Sequence, residues 1–168
     1  MVRPSSQEEA AVSYTGDSGE ISATYRPVGE VEALVRPTVT NRFVATGDVT
    51  NHEFGLFEYN MAPRAGGPGA HFHRTFSESF YVIDGTVRLY DGERWIDATK
   101  GEFLYVPQGG VHAFRNESDE PASMLILFAP APPRERYFRA LAELNDSGRE
   151  LTPEERTAFL AEHDQYMV

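Results

Sequence analysis

An all-β domain followed by two helices is what this 168-residue sequence predicts, and three observations predict it. Short β-rich segments recur between Gly, Pro, Asn and Asp from about residue 21 to residue 130. Asp-Gly pairs at 84–85 and 91–92 mark tight reversals, because paired strands twist correctly through a short turn only with positive φ there. After Pro130-Ala131-Pro132-Pro133 the apolar spacing changes from alternation to steps of three and four. Many short strands at this density argue for a sandwich or a barrel, and closure would also remove exposed edges.

Residues 1–20 hold few apolar positions and read as a flexible N-terminal arm. Strands are expected at 31–36, 42–46, 54–61, 70–74, 78–83, 87–90, 94–98, 103–106, 111–115 and 122–128, which places the barrel at 21–130. The segments 78–83, 87–90 and 94–98, joined by the two Asp-Gly reversals, are expected to form an antiparallel meander. Residues 131–168 should be a helical tail packed on the barrel. Tyr137, Leu141 and Leu144 mark one face of its first helix, which Ser147-Gly148 can end. The second starts at Thr152, with Pro153 in the first turn and Glu155 three after the cap. Phe159, Leu160, His163 and Met167 are its expected apolar face.

Composition narrows the function. Acidic residues number 26 against 15 basic ones, a net charge of −11, so the surface repels nucleic acid and anionic lipid. No apolar run approaches the roughly 20 residues that cross a bilayer, and the polar, acidic N-terminus lacks the layout of a signal peptide. A cytoplasmic protein without nucleic-acid or membrane partners is expected. Cysteine is absent, which removes disulfides, thiolate ligands and a thiol nucleophile together. Any metal must be held by nitrogen and oxygen.

Such donors are present at ligand spacing. His71 and His73, at i and i+2, project to the same side of a strand. Glu78 follows five residues later, the wrong parity for one flat strand, so residues 74–77 must bend or bulge to return its carboxylate. His112, from a later strand, completes the set. By the same parity Phe80 and Val82 lie beside Glu78, and Phe114 joins His112 inside. An isolated His-x-His is most often a packing pair; joined to the other donors and to glycines 85, 101 and 109, it points to one divalent transition metal. Imidazole-rich sites accept Ni, Fe, Mn, Co, Cu or Zn to differing degrees, so the ligands do not name the ion.

The two phrases carrying these residues, 66–85 and 101–116, resemble the paired motifs of the cupin superfamily. The first is usually written G-x5-H-x-H-x3,4-E-x6-G; His71, His73, Glu78 and Gly85 fit, with the leading glycine displaced by one, at Gly66. The second, G-x5-P-x-G-x2-H-x3-N, fits throughout at Gly101, Pro107, Gly109, His112 and Asn116. The resemblance implies a double-stranded β-helix, or jelly-roll, and a mononuclear metal site. Within the superfamily the chain is most similar to single-domain cupins related to quercetin 2,3-dioxygenase, on residues 54–90 and the helical tail. That implies His71, His73 and His112 as ligands and Glu78 as a ligand doubling as catalytic base, with a flavonol-like enol or phenol and dioxygen as reactants. It also implies a homodimer.

Two other functions fit the same residues: a metal-dependent isomerase or cyclase on a polyketide-like small molecule, and a non-catalytic small-molecule-binding module. Met61, Phe80, Val82 and Phe114 are the candidate substrate-lining residues, and His163 is a candidate lid over the cavity. Tyr81, Tyr90 and Tyr105 read as outer-face aromatics, and His52 as a surface turn residue.

Overall fold

The computed structural model describes residues 14–168. Residues 1–13 of the expected arm lie outside the described residues; 14–20 are exposed and irregular. In chain order the first strands are β1 (Ala33–Val35), β2 (Val39–Ala45), β3 (Gly55–Met61), β4 (His71–Phe72), β5 (Ser77–Asp84) and β6 (Thr86–Tyr90). Then come β7 (Trp95–Thr99), β8 (Phe103–Val106), β9 (Ala113–Arg115) and β10 (Ala122–Ala129). The tail holds α1 (Arg134–Ser147), α2 (Pro153–Glu162) and β11 (Tyr166–Met167).

The larger sheet runs β1-β2-β3-β10-β5-β8, and a smaller one β7-β6-β9, all antiparallel. At the centre, β10 alternates strictly: Ala122, Met124, Ile126 and Phe128 are buried while their neighbours are not, the period-2 pattern of a strand with one face in a core. Register sets Ile126 between Phe57 of β3 and Phe80 of β5. That row meets the smaller sheet where the Phe80 ring lies 5.5 Å from that of Phe114 on β9. Burying each such side chain contributes about 1.5–3 kcal/mol. Two facing antiparallel sheets wound in this order are a double-stranded β-helix. Among the described residues hydrogen bonding does not close it, since β1 and β8 end the large sheet.

The expected meander fails at its first reversal. Strand β5 pairs with β10 and β8, whereas β6 pairs with β7 and β9. Asp84-Gly85 is therefore the corner where the chain leaves one sheet for the other. Gly85 has φ 71°, and a Cβ there would lie 2.3 Å from the Pro121 carbonyl oxygen. The second reversal is a hairpin, with Tyr90 opposite Trp95. Its Asp91 carboxylate accepts from the Glu93 and Arg94 amides at 2.9 and 2.8 Å.

In the tail, α1 ends at Gly148, which takes the left-handed φ of 63°. Phe138 seats the helix on the barrel, its ring 5.7 Å from Phe57 and 6.3 Å from Tyr59. The capping box of α2 forms as expected: Thr152 Oγ1 accepts from the Glu155 amide, and Glu155 Oε2 accepts from the Thr152 amide. The expected apolar face does not continue to His163 and Met167. The helix stops at Glu162, Asp164 turns the chain at φ 53°, and Tyr166–Met167 pairs with His71–Phe72 as β11 against β4. The free edge of β4 wins these residues from the helix. No helix among the described residues is long and apolar enough to cross a membrane.

Candidate metal centre

Each imidazole is oriented by the backbone beside it. His71 and His112 sit opposite each other and exchange both main-chain bonds, at 3.0 and 2.9 Å. Their Nδ1 atoms lie 2.8 Å from the Gly69 carbonyl and 3.0 Å from the Gly110 carbonyl. His73 Nδ1 lies 2.5 Å from the Asp164 carbonyl. A carbonyl oxygen only accepts, so all three Nδ1 atoms carry the hydrogen and all three Nε2 lone pairs are left to bind.

The bend that parity requires lies between β4 and β5. Asp164 makes it: its carboxylate accepts from the Arg74 amide at 3.0 Å, the Thr75 amide at 2.8 Å and Thr75 Oγ1 at 2.6 Å. Phe76 then stacks on His73 at 4.3 Å, and β5 begins in time to turn Glu78 inward. Glu78 Oε2 lies 2.9 Å from both His73 Nε2 and His112 Nε2. The second motif locks onto the first, because the Gly109 amide donates to the His73 carbonyl at 2.7 Å. Asn116 closes that motif structurally: its amide donates to the Ala62 and Glu120 carbonyls and its oxygen accepts from Ser118.

One ligand atom from each of His71, His73, Glu78 and His112 lies within 4.8 Å of the others, and all four residues are buried. Lone pairs from three Nδ1–H imidazoles and a carboxylate aimed at one another repel unless a cation or protons lie among them. The donor chemistry therefore suits a divalent metal. Burial above all holds the His71 imidazole down at about 3, neutral and ready to ligate. Burial pushes the Glu78 carboxyl up, but with protons rather than a cation among the donors, bonds from the then-protonated His112 and His73 outweigh it and hold the group below the usual carboxylate range. For His112, burial favours the neutral ring while the Glu78 carboxylate prevails and raises its pKa.

Beside the donors opens a cavity of about 380 Å³, into which His71 and Glu78 face. Of the expected lining residues, Phe114 is on its wall. Met61, Phe80 and Val82 are buried in the core behind it, because inward parity on these strands leads into packed barrel. His163 packs its ring on Tyr137 and Phe159, at 5.3 and 5.1 Å, and is not among the residues lining the cavity. The remaining walls come from residues the sequence did not assign to the cavity, among them Tyr59, Arg134, Tyr137, Gln165 and Met167. Burial drives the Tyr59 hydroxyl far above its ordinary pKa, so it stays a neutral donor. For Arg134 a signal existed: it falls three before Tyr137 and seven before Leu141, a charge on the apolar stripe of α1.

A jelly-roll barrel with a buried three-histidine, one-glutamate donor set opening on a cavity defines the class: a double-stranded β-helix whose donors could hold a single metal ion. The family described as Cupin domain matches residues 57–128. Over those residues the chain carries a cupin domain, and it resembles quercetinase-like proteins. Quercetin 2,3-dioxygenase from Bacillus subtilis (strain 168) is 28% identical over 119 residues, covering 68% of this chain and 33% of that protein. The chain thus spans about a third of the length of that curated relative. Among solved structures, the polyketide cyclase RemF from Streptomyces resistomycificus aligns with TM-score 0.55 and 24% identity over 66% of this chain and 82% of its own. An RmlC-like cupin from Shewanella frigidimarina aligns with TM-score 0.56 and 20% identity over 69% and 96%. At these identities the structural likeness is one of fold.

Proposed function

We propose that the protein is a metal-dependent dioxygenase that oxidises or cleaves a flavonol-like aromatic enol or phenol. One observation carries the reading: Glu78 faces the cavity while both imidazole contacts fall on its Oε2, leaving Oε1 to accept a proton from a bound hydroxyl. When bound, a divalent metal would supply a Lewis acid that acidifies such a hydroxyl. His71, His73 and His112 would hold it with Glu78, and Glu78 is the base. The resulting enolate is electron-rich enough to react with dioxygen, and Phe114, Tyr137 and Phe138 on the walls suit a flat aromatic ring. Similarity to the Bacillus subtilis dioxygenase supports the assignment.

The test is spectroscopic. Protein loaded in turn with Ni, Fe, Mn, Co, Cu or Zn receives a flavonol without oxygen, and the absorption band of the flavonol should move to longer wavelength. Admitting oxygen should then bleach it with matching uptake at an electrode. Absence of a shift with every metal sinks the proposal. Turnover without oxygen uptake would instead favour an isomerase or cyclase. The working form in this proposal is a cytoplasmic homodimer; exposed Tyr81, Phe103 and Tyr105 on β5 and β8 offer an apolar face for it. Sedimentation at micromolar concentration checks that part.

A further inference from the structure

Arg134 is 4% exposed and meets no carboxylate among the described residues. Its bonds go to neutral acceptors, Nη1 to the His163 carbonyl at 3.1 Å and Nη2 to Gln165 Oε1 at 3.2 Å. The buried Nε has no partner. Aromatic faces surround the guanidinium, with Tyr137 at 4.1 Å, Phe128 at 5.4 Å and Phe76 at 5.6 Å. Stripping a guanidinium of water costs several kcal/mol unless a counter-charge meets it, and stacked rings with two neutral oxygens offset only part of that.

The residue lines the same cavity as His71 and Glu78. Among the described residues Glu78 supplies the only carboxylate on that wall, and its Oε2 is committed to two ligand imidazoles. A second arginine, Arg156, stands on the wall as well. So a protein with a net charge of −11 sets two guanidiniums against one carboxylate on the walls of this chamber, to which a divalent metal would add.

We propose that Arg134 is an anion-recognising residue, and that the ligand is an aromatic enol or phenol bearing an ionised carboxylate, which pairs with the Arg134 guanidinium while the hydroxyl faces Glu78. Guanidinium suits this role because it pairs with the planar carboxylate through directed, charge-assisted bonds. The inference rests on the reading of the cavity as the site of an aromatic hydroxy ligand. It does not depend on whether oxygen is consumed.

The experiment is a binding titration on the zinc-loaded full chain under nitrogen. The probes are 3-hydroxyflavone, its 2′-, 3′- and 4′-carboxylates, and the matching carboxamides. At least one carboxylate should bind at least tenfold tighter than its own amide. Arg134→Gln should abolish that preference, bringing the acid-over-amide ratio to about one. Arg134→Lys, which keeps the charge without Nε, should fall between. If Arg134→Gln unfolds, Arg134→Lys reads the proposal: the metal and Arg156 are unchanged there, so an acid-over-amide ratio equal to that of the unaltered protein overturns it. A merely structural arginine tying down the tail would not create such a ratio. Equal binding of every acid and amide, no binding by any, or a preference that survives in folded Arg134→Gln overturns the inference. Oxygen consumption on uncharged flavonol with no acid preference would sink it and spare the dioxygenase. Acid preference without oxygen chemistry would do the reverse.

Discussion

The candidate metal centre has two sides of different construction. His71, Glu78 and His112 stand on the barrel, where paired main-chain bonds between facing strands hold them. His73 and much of the cavity wall depend on the C-terminal segment. There the Asp164 carbonyl orients the ring, the Asp164 carboxylate shapes the bend, and β11 adds two residues to β4. The contrast teaches a division of labour: the β-helix gathers donors, and the tail completes the last ligand and builds the chamber.

Removing a donor from the barrel side should have the largest effect. Glu78→Gln or His112→Ala is expected to lower metal affinity by more than the roughly 10–100-fold that loss of an outer partner costs; competition against a chelator of known affinity measures it. Unchanged retention would break the comparison outright.

Deleting residues 164–168 strips the support from His73 without touching any ligand. Metal affinity should then fall by about 10–100-fold, while circular dichroism in the strand region stays that of the full chain. A truncated protein binding as tightly as the full one would make the tail a wall only.

Acid should open the tail selectively. Burial pushes the Asp164 carboxyl up, but Thr75 and the Arg74 amide hold it below its ordinary value. A pKa lowered by folding means stabilisation fully present above the unfolded value of about 3.9. It is lost as pH falls through the folded value. Amide exchange at residues 165–168 should thus stay slow at neutral pH and quicken only in acid, and Asp164→Asn should bring fast exchange to pH 7. The smallest effect belongs farthest from the centre. Thr152→Ala removes the cap of α2 and should cost about 1 kcal/mol in a thermal melt, with metal affinity unaltered.

The donors were legible because they obey local rules: i, i+2 parity on a strand, a parity fault that demands a bend, and glycines where turns need them. The capping box was legible for the same reason. The Asp84-Gly85 corner was misread because an Asp-Gly turn looks alike whether the next strand pairs with the last one or crosses to the facing sheet. Phe80 and Val82 were correctly turned inward, yet parity cannot say whether inward meets packed core or open chamber. Met167 was assigned to a helix since its spacing from Phe159 and Leu160 suits one, and only the vacant edge of β4 reveals the competing partner.

What the sequence alone determined is the set of groups that converge, since strand alternation and turn chemistry act over a few residues and dictate which side chains share a face. Only the tertiary structure decided what surrounds them. The Asp164 carbonyl behind His73 and the guanidinium of Arg134 beside the chamber arrive from the far end of the chain, and contacts between distant segments leave no periodicity behind.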